Sequence, residues 1–391
     1  MYSRVIDFLV ELLKPLLVIL TILFLTSVII ILDYTSFKTP GSGPEEIGML
    51  QVSSINDLLQ NALFLPQRLL QFVFSNFEVN ETVALKMPSV LMASIAAILM
   101  FYVLRHWYSK RVALLGTLLF ASSSWFLLQA RSASFGISLI LSAMTIISLG
   151  IWASERKRVT LLPLVGFICG LLLYVPGGWL FLIIALVAGN RELKFIWKKN
   201  SKLNKVLSIS LFILSIVPLL YSLYINHNQL DLLGVSSSAS LQTLISNIIN
   251  LPGQLFISGL DNNYTWLAGT PILDMATTIL LILALYGYRS GYNPVRFRGI
   301  SVATGVSLLL IGTYGVSSIS WLVPFLYLFI AAGIALLLQM WFSVFPKNPI
   351  AKYVGLLWIG LLVVLIAYYQ GTRYFVGYSH NRNQSNIQVV N

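Results

Sequence analysis

The sequence predicts an all-α integral membrane protein whose chain crosses the bilayer about eleven times. Hydrophobic residues make up 57% of its 391 residues and charged residues only 10%, against roughly 25% charged in a soluble domain. A chain this apolar would aggregate in water, so its solvent is lipid. Uncharged apolar runs of the length a spanning helix needs, about 20 residues, recur along it. None shows the residue-by-residue alternation of a membrane β-barrel strand, so the spans are helices, which satisfy their own backbone.

The expected spans lie near 15–32, 87–104, 112–130, 132–154, 159–175, 178–190, 206–225, 272–288, 299–317, 321–345 and 353–371. Orientation follows from the basic residues, which favour the cytoplasmic ends of spans. The connections holding Arg105, Lys110 and Arg111, then Arg156 to Arg158, then Arg191 to Lys205, then Arg289 to Arg298, and Lys347 with Lys352 collect most of the Lys and Arg. Lys38, Arg68, Lys86, Arg131, Arg373 and Arg382 fall on the other side. The N-terminus is therefore expected in the cytoplasm and the C-terminus outside, in a plasma (inner) membrane. The +12 net charge reads as topology, not as a nucleic-acid footprint. The same rule splits two stretches. Residues 159–190 go out and return, with the break at Pro176, Gly177 and Gly178, and residues 299–346 turn near 315–320.

Residues 1–391 read as a single transmembrane domain with no separate soluble domain. Its two long extracytoplasmic loops are 33–86 and 226–271. Loops of this length are uncommon unless they carry function or are disordered, so any chemistry is expected outside. The first loop holds a Gly/Pro-rich turn at 39–44, then amphipathic helical patterns at 55–65 and 67–74. Leu58, Leu59, Ala62 and Leu63 fall on one face of the first pattern, with Asp57, Gln60 and Asn61 toward the other. Such a helix lies along the membrane surface. The first apolar run has no small-residue cleavage site after it and reads as a retained span. Cys169, inside a span, is a packing residue.

Glu45 and Glu46 follow the first span and the turn. Two adjacent carboxylates suit a base that deprotonates an attacking hydroxyl, or simply a solvated acidic loop. Arg131, between two spans, suits a lipid phosphate, which Arg binds with two parallel hydrogen bonds, or a snorkelling arginine at a headgroup. Lys86 offers the same pair of readings. His106, His227 and His380 lie far apart, with no cysteine partners for a metal site. A divalent metal held by carboxylates has no clear ligand set.

The order of these phrases carries a resemblance. Glu45 and Glu46 are followed by the amphipathic pair, a Leu85-Lys86-Met87-Pro88-Ser89 span entry, a basic turn at 105–111, and Ala130-Arg131 after the third span. Gly166 to Trp179, the Gly269 to Asp274 span entry and Arg373 to Phe375 continue it. This order resembles the polyprenyl-phosphate-sugar-dependent membrane glycosyltransferases of the GT-C fold, such as protein O-mannosyltransferases and the aminoarabinose transferases of lipid A. The resemblance implies a GT-C-like fold and sugar transfer from a polyprenyl-phosphate donor to an acceptor at the extracytoplasmic face. It implies Glu45 as the base, Glu46 as its orienting neighbour, and Arg131 with Lys86 on the lipid phosphate. Partners would be membrane lipids, the lipid-linked sugar and an acceptor.

The chain departs from the family in four respects. Glu45 stands where members carry Asp. No acidic residue follows Ala130-Arg131, none of residues 317–321 is basic, and the chain is short. The alternative is a non-catalytic GT-C-like scaffold or lipid-handling subunit. An ion-coupled transporter fits poorly, because such proteins keep ionisable residues within spans, and Asp274, at a span's outer end, is the nearest candidate.

Overall fold

The computed structural model describes residues 52, 54–77, 81–155, 159–227, 229–233, 240–260, 266–267, 269–290 and 294–378. The expected span at 15–32, Glu45 and Glu46 lie outside the described residues. Among the described residues every regular element is helical.

The chain runs through α1 (Ile55–Gln60), α2 (Leu65–Ser75), α3 (Glu81–Trp107), α4 (Lys110–Ser122), α5 (Ser124–Arg131) and α6 (Gly136–Glu155). It continues through α7 (Leu162–Leu172), α8 (Gly178–Ala188), α9 (Asn190–Lys199), α10 (Lys202–Ile225), α11 (Gln229–Leu232) and α12 (Leu241–Phe256). It ends with α13 (Met275–Arg289), α14 (Pro294–Tyr314), α15 (Ile319–Val344) and α16 (Pro349–Thr372), which passes into a π-helical turn at Arg373–Tyr378.

Among the described residues six stretches are long and apolar enough to cross a membrane: Leu85–Trp107, Gly136–Glu155, Lys202–Ile225, Arg296–Tyr314, Ile319–Val344 and Ile350–Gly377. A seventh crossing results if α4 and α5, bent by 60° at Ser123, count as one. The segments expected at 159–175, 178–190 and 272–288 form the shorter helices α7, α8 and α13, of 11, 11 and 15 residues. At 1.5 Å per residue they reach about 16–22 Å, less than the ~30 Å of a bilayer core. Among the described residues, full-length helices are therefore fewer than the ten crossings expected there.

Packing sorts these helices into a centre and a rim. Helix α15 is buried along most of its length, and Trp321, Phe325 and Tyr327 are among its fully enclosed side chains. Helices α10 and α16 bury little. They turn outward large apolar side chains such as Leu203, Val206, Leu214, Leu220, Leu357, Trp358 and Leu365. Exposed apolar surface on that scale is stable only against lipid, so the protein is an all-α membrane protein.

The expected amphipathic pair is present. Ser54 and Asp57 form a capping box that starts α1, and Leu58, Ala62 and Leu63 are buried while Gln60 and Asn61 are exposed. Helix α1 packs on α10 and α2 on α3. The Gly177 turn, at φ +78°, separates α7 from α8 as expected. Tyr174 just before it is fully buried. Its hydroxyl donates to the Ser215 carbonyl (2.6 Å) and accepts from the Leu219 N–H (3.2 Å). A side chain thus sits inside the backbone ladder of α10, beside Pro218, which cannot donate there.

Contacts gather the helix ends into two sets. Phe64, Ser123, Gly136, Tyr174, Asp274, Ser320 and Gln370 meet neighbours at one end of the bundle. At the other end Tyr108 meets Tyr288 and Arg296, His106 meets Glu155, and Trp341 donates to the Ala351 carbonyl. The described parts of the long loops belong to the first end, termed the loop end below. The second holds the connections rich in Lys and Arg and is termed the basic end.

Candidate functional site

The site grows from a break in a helix. The run 112–130 reads as one span in the sequence, yet Ser123 adopts an extended conformation (φ −62°, ψ 137°) between α4 and α5. Its Oγ donates to the Phe120 carbonyl (2.8 Å) and accepts from the Phe126 N–H (3.3 Å). One hydroxyl therefore closes the end of one helix and caps the start of the next. In lipid, backbone groups freed by a break must find partners inside the protein. The remaining partner comes from the last span. Gln370 accepts from the Ser124 N–H through Oε1 (3.1 Å), and its backbone carbonyl accepts from Ser124 Oγ (3.0 Å).

The other end of the Gln370 amide donates to Asp274 Oδ2. Asp274 caps α13, its Oδ1 accepting from the Thr277 N–H at 2.7 Å. A buried carboxylate is thereby held by an amide and a helix N-terminus, with the Arg373 guanidinium near enough to interact with it electrostatically. Gln370 and Asp274 are 1% and 7% exposed, so this relay is a structural element of the interior. Asp274 opens an apolar helix as expected, but α13 is one of the shorter ones.

Arg373, one turn beyond Gln370, donates to the Pro271 carbonyl and lies 5.1 Å from the Trp266 ring centroid. Among the described residues its Nε has no hydrogen-bond partner. Trp266 in turn lies 5.1 Å from Trp125, whose indole N–H donates to Ser320 Oγ (3.1 Å). Arg131, at the end of α5, is 3% exposed. Its guanidinium lies 5.4 Å from the Tyr374 ring and 5.3 Å from that of Phe375, both in the π-helical turn. Two guanidiniums therefore flank one short, irregular helical segment. Such π segments occur disproportionately at functional sites.

A snorkelling arginine keeps its head in water; Arg131 does not. Lys86 is 2% exposed on α3, which packs against α5. One turn along α3, Ser89 accepts from the Gln67 side chain (3.1 Å), and Ser138 donates to the Gln67 carbonyl oxygen (2.5 Å). Gln67 also donates to the Ser134 backbone carbonyl (3.1 Å). The loop helix α2 is thus stapled to the bundle beside Lys86. A Cβ at Gly136 would stand 2.1 Å from Gln129 Oε1 and 2.7 Å from Ser320 Oγ, so those side-chain ends would have to shift. Arg68, on the same loop helix, donates to the Asn61 carbonyl. Burial pushes its guanidinium below the ordinary range, and the Asp57 charge opposes that shift.

Of the residues expected at the site, Arg131 and Lys86 are thus buried at the loop end, while Glu45 and Glu46 lie outside the described residues. Sequence reasoning missed Gln370 and Ser123 as members of this polar region, and singled out Arg373 only within the order of phrases that carries the resemblance. A glutamine near the end of the apolar run 353–371, and three serines inside another, were the available signals. Among the described residues no three of His, Cys, Asp and Glu converge as a metal site. Comparisons with protein-family models, with curated proteins and with solved structures each gave no match.

Proposed function

We propose that the protein is a membrane glycosyltransferase that moves a sugar from a polyprenyl-phosphate donor to an acceptor at the extracytoplasmic face. The observation that carries this reading is the burial of two cations, Arg131 and Lys86, at the loop end. A lipid-borne phosphate entering there would gain charge-assisted hydrogen bonds from cations that the protein already holds in place. Arg373, with its Nε unpaired among the described residues, adds a third cation. Phe375, the partly exposed ring of the π-helical turn, provides apolar surface for the first isoprene unit.

In this reading the chain makes eleven crossings in a GT-C-like arrangement, some of them by shortened or broken helices. The N-terminus is cytoplasmic and the loop end faces outward. Glu45 takes the acceptor proton as the hydroxyl oxygen attacks the anomeric carbon, and the bond to the lipid phosphate breaks. Glu46 orients the acceptor. Arg131 and Lys86 stabilise the departing phosphate.

Transfer is measured with purified protein in lipid nanodiscs, across a panel of polyprenyl-phosphate sugars and acceptors. Glu45→Gln should lower transfer about 10²–10⁴-fold, the usual worth of a general base, with donor binding unchanged. Equal rates in wild type and Glu45→Gln would remove Glu45 from the mechanism. Donor binding without transfer on any acceptor would favour the lipid-handling subunit.

A further inference from the structure

The basic end of the bundle carries a second cationic site of different construction. A cavity of about 600 Å³ opens there, bounded by the end of α3, the start of α4, the start of α14 and the last third of α15. Lys110, Arg111 and Arg296 face it, with Trp107 and Tyr108, over an apolar wall that includes Leu338 and Phe342.

Three features make it electropositive. Lys110 and Arg111 occupy the first turn of α4, where the helix dipole already favours negative charge, and no acid shares that turn. Arg296 stands in the first turn of α14, again without an acid, and lies 5.2 Å from the Tyr108 ring. No Asp or Glu lines the cavity among the described residues. The carboxylate of Glu155, at the same end, is bound to His106 at 2.9 Å. Two helix N-termini and three cations thus surround one opening with no anion of the protein's own.

We propose that this cavity binds an anionic glycerophospholipid of the leaflet at the basic end. Its phosphate would sit among Lys110, Arg111 and Arg296, and an acyl chain would lie against Leu338 and Phe342. The position decides between a lipid and a soluble anion. The cavity lies where Leu85–Trp107 ends and Arg296–Tyr314 begins, at headgroup depth. Half of what lines it is apolar or aromatic, which a free phosphate does not use. Basic pockets between spanning helices on that side are known headgroup sites. The proposal is independent of sugar transfer at the loop end.

The test uses the full chain, purified in mild detergent and equilibrated with equal amounts of palmitoyl-oleoyl phosphatidylglycerol and phosphatidylcholine. Retained lipid is read by native mass spectrometry. Wild type should enrich phosphatidylglycerol about tenfold or more. The K110Q/R111Q/R296Q variant should lose that preference entirely, because three charges worth roughly fivefold each outweigh a tenfold enrichment. Gln339→Trp, on an exposed residue of the cavity rim, should block retention with the cations intact. It keeps the test decisive if the triple variant folds poorly. No preference in wild type would overturn the proposal, as would a full preference in both variants. Displacement of the lipid by millimolar inorganic phosphate alone would overturn it in favour of a free-anion site.

Discussion

The two ends of the bundle handle positive charge in opposite ways. At the loop end Arg131 and Lys86 are buried, and Arg131 is packed against aromatic rings. At the basic end Lys110 and Arg111 are exposed at the mouth of an open cavity. A buried cation is committed to a fixed geometry, because moving it exposes or strands its partners. An exposed one keeps its rotamers and its hydration, and it gives most of its energy to whatever arrives. The loop end is therefore built as a rigid, high-cost polar interior. The basic end is built as an adaptable, salt-sensitive surface.

That contrast predicts a gradient of mutational cost. The largest loss is expected for Gln370→Leu, which is similar in size but has no amide. It would strand the Asp274 carboxylate and the Ser124 N–H in a dry interior, at a cost of about 3 kcal/mol or more. Thermal unfolding in detergent should show a clear drop in midpoint. An unchanged midpoint would mean that the relay is not a structural element. Ser123→Ala comes next. It removes the hydroxyl that serves both halves of the broken span and should cost about 1–2 kcal/mol. The same assay reads it, and a stabilising effect would argue that the 60° break is not maintained by its cap. Smallest is Arg111→Gln at the basic end, expected within about 0.5 kcal/mol of wild type. A large loss there would erase the distinction between the two ends.

How much of this was legible in the sequence depended on the range of the contact. The face of α1 was readable from Leu58, Ala62 and Leu63, because helical periodicity is local. The turn at Gly177 was readable for the same reason. The break at Ser123 was not. Three serines in an apolar run are compatible with a continuous helix, since a hydroxyl can bond back to its own turn. What meets the freed backbone is Gln370, 246 residues from Ser124. The half-length of α7 and α8 was also hidden, because hydropathy marks apolar segments without saying whether each one reaches across. Arg131 could be singled out by the resemblance, but its enclosure between α5 and the turn at Arg373–Tyr378 is a tertiary fact.

The central claim is that the loop end, and not the basic end, holds a lipid-linked phosphate as substrate. It is tested most directly by titrating a polyprenyl-phosphate sugar into nanodisc-embedded protein and comparing wild type, Arg131→Ala and the K110Q/R111Q/R296Q variant. Losing a charge-assisted bidentate contact should weaken binding in Arg131→Ala by about 1.5–3 kcal/mol, roughly 10–150-fold. The triple variant should bind as wild type does. Equal affinity in wild type and Arg131→Ala, or a loss confined to the triple variant, would contradict the account.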